Sequence, residues 1–97
     1  MNQYRVEFSE AAEAELLTSI VWGVENWGTE ETFRWARDLR NSVNKMLASF
    51  PKSQPLAPES AEARTEIRHM IIGRYRILFN IEGDVVNVLH VRGAFGG

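Results

Sequence analysis

Three short segments near the C-terminus, each joined to the next by a glycine-bearing turn, commit this chain to a sheet. They are Ile67-Arg68-His69-Met70-Ile71-Ile72, Tyr75-Arg76-Ile77-Leu78-Phe79-Asn80-Ile81 and Val85-Val86-Asn87-Val88-Leu89-His90-Val91-Arg92. Side chains along a strand alternate between two faces. Tyr75, Ile77, Phe79 and Ile81 therefore share one face, and Arg76, Leu78 and Asn80 the other. Gly73 in the first joint and Glu82-Gly83-Asp84 in the second read as tight hairpins. Turning the apolar faces one way gathers Arg68, Arg76, His90 and Arg92 on the opposite face, with Ile77, Phe79, Leu89 and Val91 toward the core. His69 falls with Ile67 and Ile71 as a half-buried histidine. Several guanidiniums on one open face suit an anion or an acidic partner.

The first half of the chain supplies what must cover this sheet. Tyr4-Arg5-Val6-Glu7-Phe8 alternates and reads as a first strand. Ser9 is placed to cap a helix whose first turn carries Glu10 and Glu13, where the helix dipole favours acids. Leu16, Ile20, Val24 and Trp27 recur at helical spacing until Gly28, and Thr29 is placed to cap a second helix. Phe33, Ala36, Leu39, Val43, Met46, Leu47 and Phe50 form its apolar stripe. Pro51, Pro55 and Pro58 make the next stretch a loop. The expected fold class is α+β, in the order β-α-α-β-β-β, with a helical hairpin on one face of a mostly antiparallel sheet and the other face free.

With 97 residues, 44% apolar and 25% charged, one domain spanning 1–97 is expected. Cysteine is absent, which removes thiolate chemistry and thiolate zinc sites. With only two histidines, no metal constellation stands out, and no P-loop, dinucleotide fingerprint or Ser-His-Asp arrangement is present. No cofactor is expected. Apolar runs fall far short of the roughly 18 residues that span a bilayer. A cytoplasmic protein without membrane attachment is the expectation. Net charge is −2 but unevenly spread. Arg34, Arg37, Arg40, Lys45 and Lys52 crowd residues 32–56 against Asp38 alone, whereas acids dominate residues 1–31.

Tyr4-Arg5-Val6-Glu7-Phe8-Ser9 leading into an Ala-rich helix, a second helix closing on Phe50-Pro51, and the ending Glu66-Ile67-Arg68, Gly73-Arg74-Tyr75-Arg76-Ile77-Leu78-Phe79 and Val88-Leu89-His90-Val91-Arg92 resemble the RelE/ParE superfamily of type II toxins, the plasmid stabilisation proteins. The resemblance covers nearly the whole chain. It implies a growth-inhibiting bacterial toxin held in a hetero-oligomer by a cognate antitoxin, with DNA gyrase (the ParE-like branch) or ribosome-bound mRNA (the RelE-like branch) as target.

The two branches need different chemistry. Metal-free RNA cleavage requires a base for the 2′-hydroxyl, cations at the phosphate and an acid for the leaving oxygen. Arg68, Arg76 and Arg92 match the family's strand arginines and would supply the cations, with His90 as the candidate proton carrier. After Arg92, however, Ala94 and Phe95 stand where nuclease members often carry His or Tyr. Phe95 can stack on a base but moves no proton. A pI near 5.7 is also low for a ribosome-directed nuclease. The expectation is therefore a ParE-like toxin acting by binding, with a metal-independent RNA endonuclease and a degenerate, non-toxic antitoxin-binding homologue as alternatives. Arg68, Arg76, Arg92, Phe95 and Trp22 are the expected partner-binding residues. Trp22 is included because it lies opposite the Leu16-Ile20-Val24 face on a wheel of about 100° per residue, and tryptophan is favoured at binding hot spots.

Overall fold

A computed structural model describes residues 3–93. The elements are β1 (Arg5–Phe8), α1 (Glu10–Trp27), α2 (Thr29–Ser49), two 3₁₀ turns (Pro51–Ser53 and Pro58–Ala61), β2 (Arg68–Ile72), β3 (Tyr75–Glu82) and β4 (Val85–Gly93). The strands form one sheet in the order β1-β4-β3-β2, with β1 parallel to β4 and the other pairs antiparallel. Gly73 and Gly83 adopt φ of 57° and 60° in the two hairpin turns, a region that costs glycine nothing.

Ser9 joins strand to helix by three bonds. Its Oγ accepts from the Ala12 amide at 3.0 Å, its hydroxyl donates to the Leu89 carbonyl at 3.0 Å, and its amide donates to the Val88 carbonyl at 2.9 Å. The cap thus starts α1 and docks it on β4. The second helix has no such device: Gly28, at φ 93°, occupies its cap position without a side-chain hydrogen bond, so Thr29 opens α2 rather than capping it. The helices approach closely where Gly23 faces Thr32, which is fully buried. Arg40 fastens the hairpin to β1, bonding Glu13 at 2.7 Å and lying 4.6 Å from the centre of the Phe8 ring.

Leu16 from α1, with Leu39, Val43 and Leu47 from α2, packs on Met70, Tyr75, Ile77, Phe79, Val86, Val88 and Val91. This is the expected core, with the stripe of α2 narrower than its sequence suggests: Phe33, Met46 and Phe50 are exposed.

Three expectations about the sheet are corrected. A bulge lies in β4, since Leu78 pairs with His90 but Phe79 pairs with Val88. Leu89 is the extra residue; it is half-buried and outside the core cluster with Ile77, Phe79 and Val91. Arg68 pairs with Phe79 and His69 with Leu78, and cross-strand partners share a face. Arg68 therefore turns toward the helices, and His69 joins Arg76 rather than the core. Nor is the far face free, because Glu59 of the second 3₁₀ turn reaches Arg76 on β3. The Ser60 hydroxyl anchors that turn, donating to the Ile67 carbonyl at 2.6 Å and accepting from its amide at 2.7 Å.

Candidate functional site

Arg76 on β3 stands directly opposite Arg92 on β4. Two like charges side by side need a counter-charge, and Glu59 supplies it. The Arg76 guanidinium engages both Glu59 oxygens, with Nη1 at 3.2 Å from Oε1 and Nη2 bonded to Oε2. Arg92 Nη1 lies 3.9 Å from the same Oε2. The side chains of Arg76, Arg92 and Glu59 are 27%, 47% and 33% exposed, so the cluster is reachable from solvent. Its own backbone N–H, and then Arg76 and Arg92, hold the Glu59 carboxyl below its usual range against an opposing desolvation effect.

His69 completes the group. Its Nδ1 is 3.2 Å from Arg76 Nη1. A guanidinium has only donors, so Nδ1 accepts and the proton of the neutral ring sits on Nε2. Arg76 thus links the Glu59 carboxylate to the His69 imidazole, and Arg92 flanks the same carboxylate.

Two expected members lie outside this cluster, although His90, paired with Leu78, keeps the expected sheet face. Arg68 Nη1 donates to the Gln54 carbonyl at 2.6 Å and approaches the Lys52 carbonyl at 3.5 Å, tying down the loop after α2. His90 Nδ1 lies 3.2 Å from Glu15 Oε2, and Glu15 also accepts from the Val91 amide at 2.9 Å. Beyond the short β1, this carboxylate satisfies a β4 amide that has no strand partner there. Phe95 lies outside the described residues.

Trp22 is not a lone aromatic. It meets Trp27 edge-on at 5.1 Å, Trp27 meets Trp35 at 6.1 Å, and Trp35 lies 5.1 Å from Tyr75. These four rings, with Leu39 and Ile72, line an open groove of about 750 Å³ between the helical hairpin and the β2–β3 turn. A smaller hollow lined by Arg76, Arg92 and Gly93 shares Gly73, Arg74 and Tyr75 with it. The arginine pair and the aromatic groove therefore meet around one turn.

Sequence reasoning missed Glu59 and His69. Nothing local signals that residue 59 lies beside residue 76. The register of β2 decides the placement of His69: pairing with Leu78 puts it on the Arg76 face, opposite to the core face that alternation with Ile67 and Ile71 suggests. Among the described residues, no three His, Asp or Glu converge to hold a metal ion, and no helix is long and apolar enough to cross a membrane.

Residues 6–94 match the family described as "ParE toxin of type II toxin-antitoxin system, parDE". No curated protein matches the chain. Among solved structures, a chain of the chromosomal ParDE TA system from P. aeruginosa superposes with a TM-score of 0.77 at 16% identity, covering 94% of this chain and 96% of that one. That likeness shows a shared fold. With the family match extending across nearly all of the strands and helices described above, this chain belongs to the ParE toxin family of type II toxin–antitoxin systems.

Proposed function

We propose that this toxin arrests growth by binding DNA gyrase, and that a cognate antitoxin neutralises it by covering the Arg76–Arg92 face and the adjoining aromatic groove. The observation that carries the reading is the composition of this continuous surface. A reachable guanidinium pair that shares one carboxylate adjoins a row of aromatic rings. Forked donors suit Asp and Glu, and tryptophans suit apolar anchors between them. An acidic, partly apolar antitoxin segment fits both at once. Neutralisation then follows from overlap between the antitoxin's surface and the target's, with no backbone rearrangement required.

A second reading is favoured by one specific feature. Glu59 and His69 place two proton-moving groups beside Arg76 and Arg92, the kinds of group that metal-free RNA cleavage needs. In that reading Glu59 takes the place that His90 held in the sequence-based expectation, with His69 as its acid partner.

Induced expression in a bacterial host, with and without the antitoxin encoded alongside, tests the primary reading. Growth arrest relieved by the antitoxin is the expected result. Unimpaired growth despite tight antitoxin binding would make the chain a degenerate homologue.

A further inference from the structure

The two arginines of the candidate site form a receptor for a carboxylate that the chain fills with one of its own. We propose that Glu59 is a resident competitor: a partner's Asp or Glu binds Arg76 and Arg92 only by displacing the Glu59 side chain. The inference rests on the reading of this face as a partner-binding surface.

Three features support displacement rather than a fixed structural bond. First, the Glu59 side chain is one-third exposed and that of Arg92 nearly half, so an incoming carboxylate can approach without unfolding anything. Second, the turn that carries Glu59 is held independently of the ion pair. Ser60 bonds Ile67 in both directions, Ala57 donates to the Ile67 carbonyl at 2.7 Å, and the Glu62 and Ala63 amides both donate to the Glu59 carbonyl at 3.2 Å. The carboxylate can leave while its backbone stays. Third, the site has donors to spare. Arg92 reaches Glu59 only at 3.9 Å, beyond a hydrogen bond, so its fork is engaged by charge rather than by direct bonding. A carboxylate centred between the two arginines would bond both.

The occupant also indicates the ligand class. The site is matched to a planar two-oxygen anion held end-on by a guanidinium fork. The chain's net charge of −2 disfavours a long polyphosphate backbone, which gains affinity from broad positive potential. A single acidic side chain on a protein segment fits these conditions. Holding the site closed with an internal carboxylate screens the arginine pair from casual anions and leaves it to partners that also engage the neighbouring aromatic groove.

The mechanism sets an affinity relation. When the binding-competent, vacated state is only a small fraction of the population, apparent affinity falls by that fraction. Removing the competitor's charge should therefore strengthen binding of an external carboxylate. The test measures rhodamine-labelled hexaglutamate binding to the full chain by anisotropy, in parallel with labelled hexauridylate. Glu59→Gln keeps the side chain's shape and should bind hexaglutamate about tenfold or more tightly than wild type. Arg76→Ala or Arg92→Ala in the Glu59→Gln background should erase the gain, and Arg37→Ala, on the outer face of α2, should leave it in place. Glu59→Asp, which retracts the charge by one methylene, should fall between wild type and Glu59→Gln.

Equal hexaglutamate affinity in wild type and Glu59→Gln would overturn the proposal and make Glu59 a strap for its turn. A gain confined to hexauridylate would overturn the carboxylate assignment in favour of phosphate. The growth test of the toxin reading leaves Glu59 unaltered, so failure there and failure here are separate results.

Discussion

Glu59 and Arg76 are seventeen residues apart in the chain and share a two-point ion pair on the sheet face opposite the helices. Below its folded pKa the carboxyl is protonated and the pair is lost. Because that pKa is lowered from 4.5, by its own backbone N–H first and by Arg76 and Arg92 after it, the ionised carboxylate stabilises the fold above the ordinary carboxyl range. The contribution disappears as pH falls through the folded value. Glu59→Gln should therefore melt below wild type at pH 7. The gap should close as pH falls well below about 4.5, and thermal melts of both proteins across pH 3 to 7 would check it. A gap that stays constant with pH would place the effect outside this ionisation.

Arg68 holds the Gln54 and Lys52 carbonyls and pairs with Phe79, on the sheet face away from the Arg76–Arg92 pair. Arg68→Ala should remove charge-assisted bonds to the Gln54 and Lys52 carbonyls and cost about 1–3 kcal/mol of stability. Affinity for the antitoxin should stay unchanged, as read by denaturant unfolding alongside a binding titration. Arg92→Ala should do the reverse, weakening antitoxin binding by about 2 kcal/mol, the lower end for a paired interface charge because Arg92 is half-exposed.

The contrast between these two arginines shows how much of the site was legible in the sequence. Strand alternation places Arg76 opposite Ile77 and Phe79 within one strand without reference to any other. It cannot place Arg68, since the face of β2 follows from pairing Arg68 with Phe79, and a shift of one residue inverts every side chain. The bulge at Leu89 interrupts alternation in the same way. Glu59 was hidden for a different reason. It arrives through a proline-rich segment without periodicity, and the Ser60–Ile67 and Ala57–Ile67 bonds bring it beside the sheet. The helices were legible because their apolar stripes and the Ser9 cap are local signals.

Ser9 should matter more than an ordinary helix cap. Ser9→Ala loses the acceptor for the Ala12 amide and the donor to the Leu89 carbonyl together. A cost of about 1–2 kcal/mol is expected, measured as a shift in urea midpoint at constant slope.

Gly23 marks where the hairpin helices touch. A Cβ there would lie 2.7 Å from Thr32 Cγ2 and 2.8 Å from its Oγ1, closer than packing allows. Gly23→Ala should cost about 1–3 kcal/mol through overpacking. Thr32→Ser removes the clashing methyl and keeps the hydroxyl that donates to the Gly28 carbonyl at 2.7 Å. The double variant should recover part of the loss, giving a non-zero coupling energy in the cycle.

The most direct test of the functional account compares two targets with one preparation of the purified toxin. It should inhibit DNA supercoiling by gyrase, with the inhibition relieved by the antitoxin, while mRNA on translating ribosomes stays intact. Cleaved ribosomal mRNA with gyrase unaffected would contradict the account, and loss of that cleavage in Glu59→Gln and His69→Ala would establish the Glu59-His69-Arg76-Arg92 cluster as a nuclease centre instead.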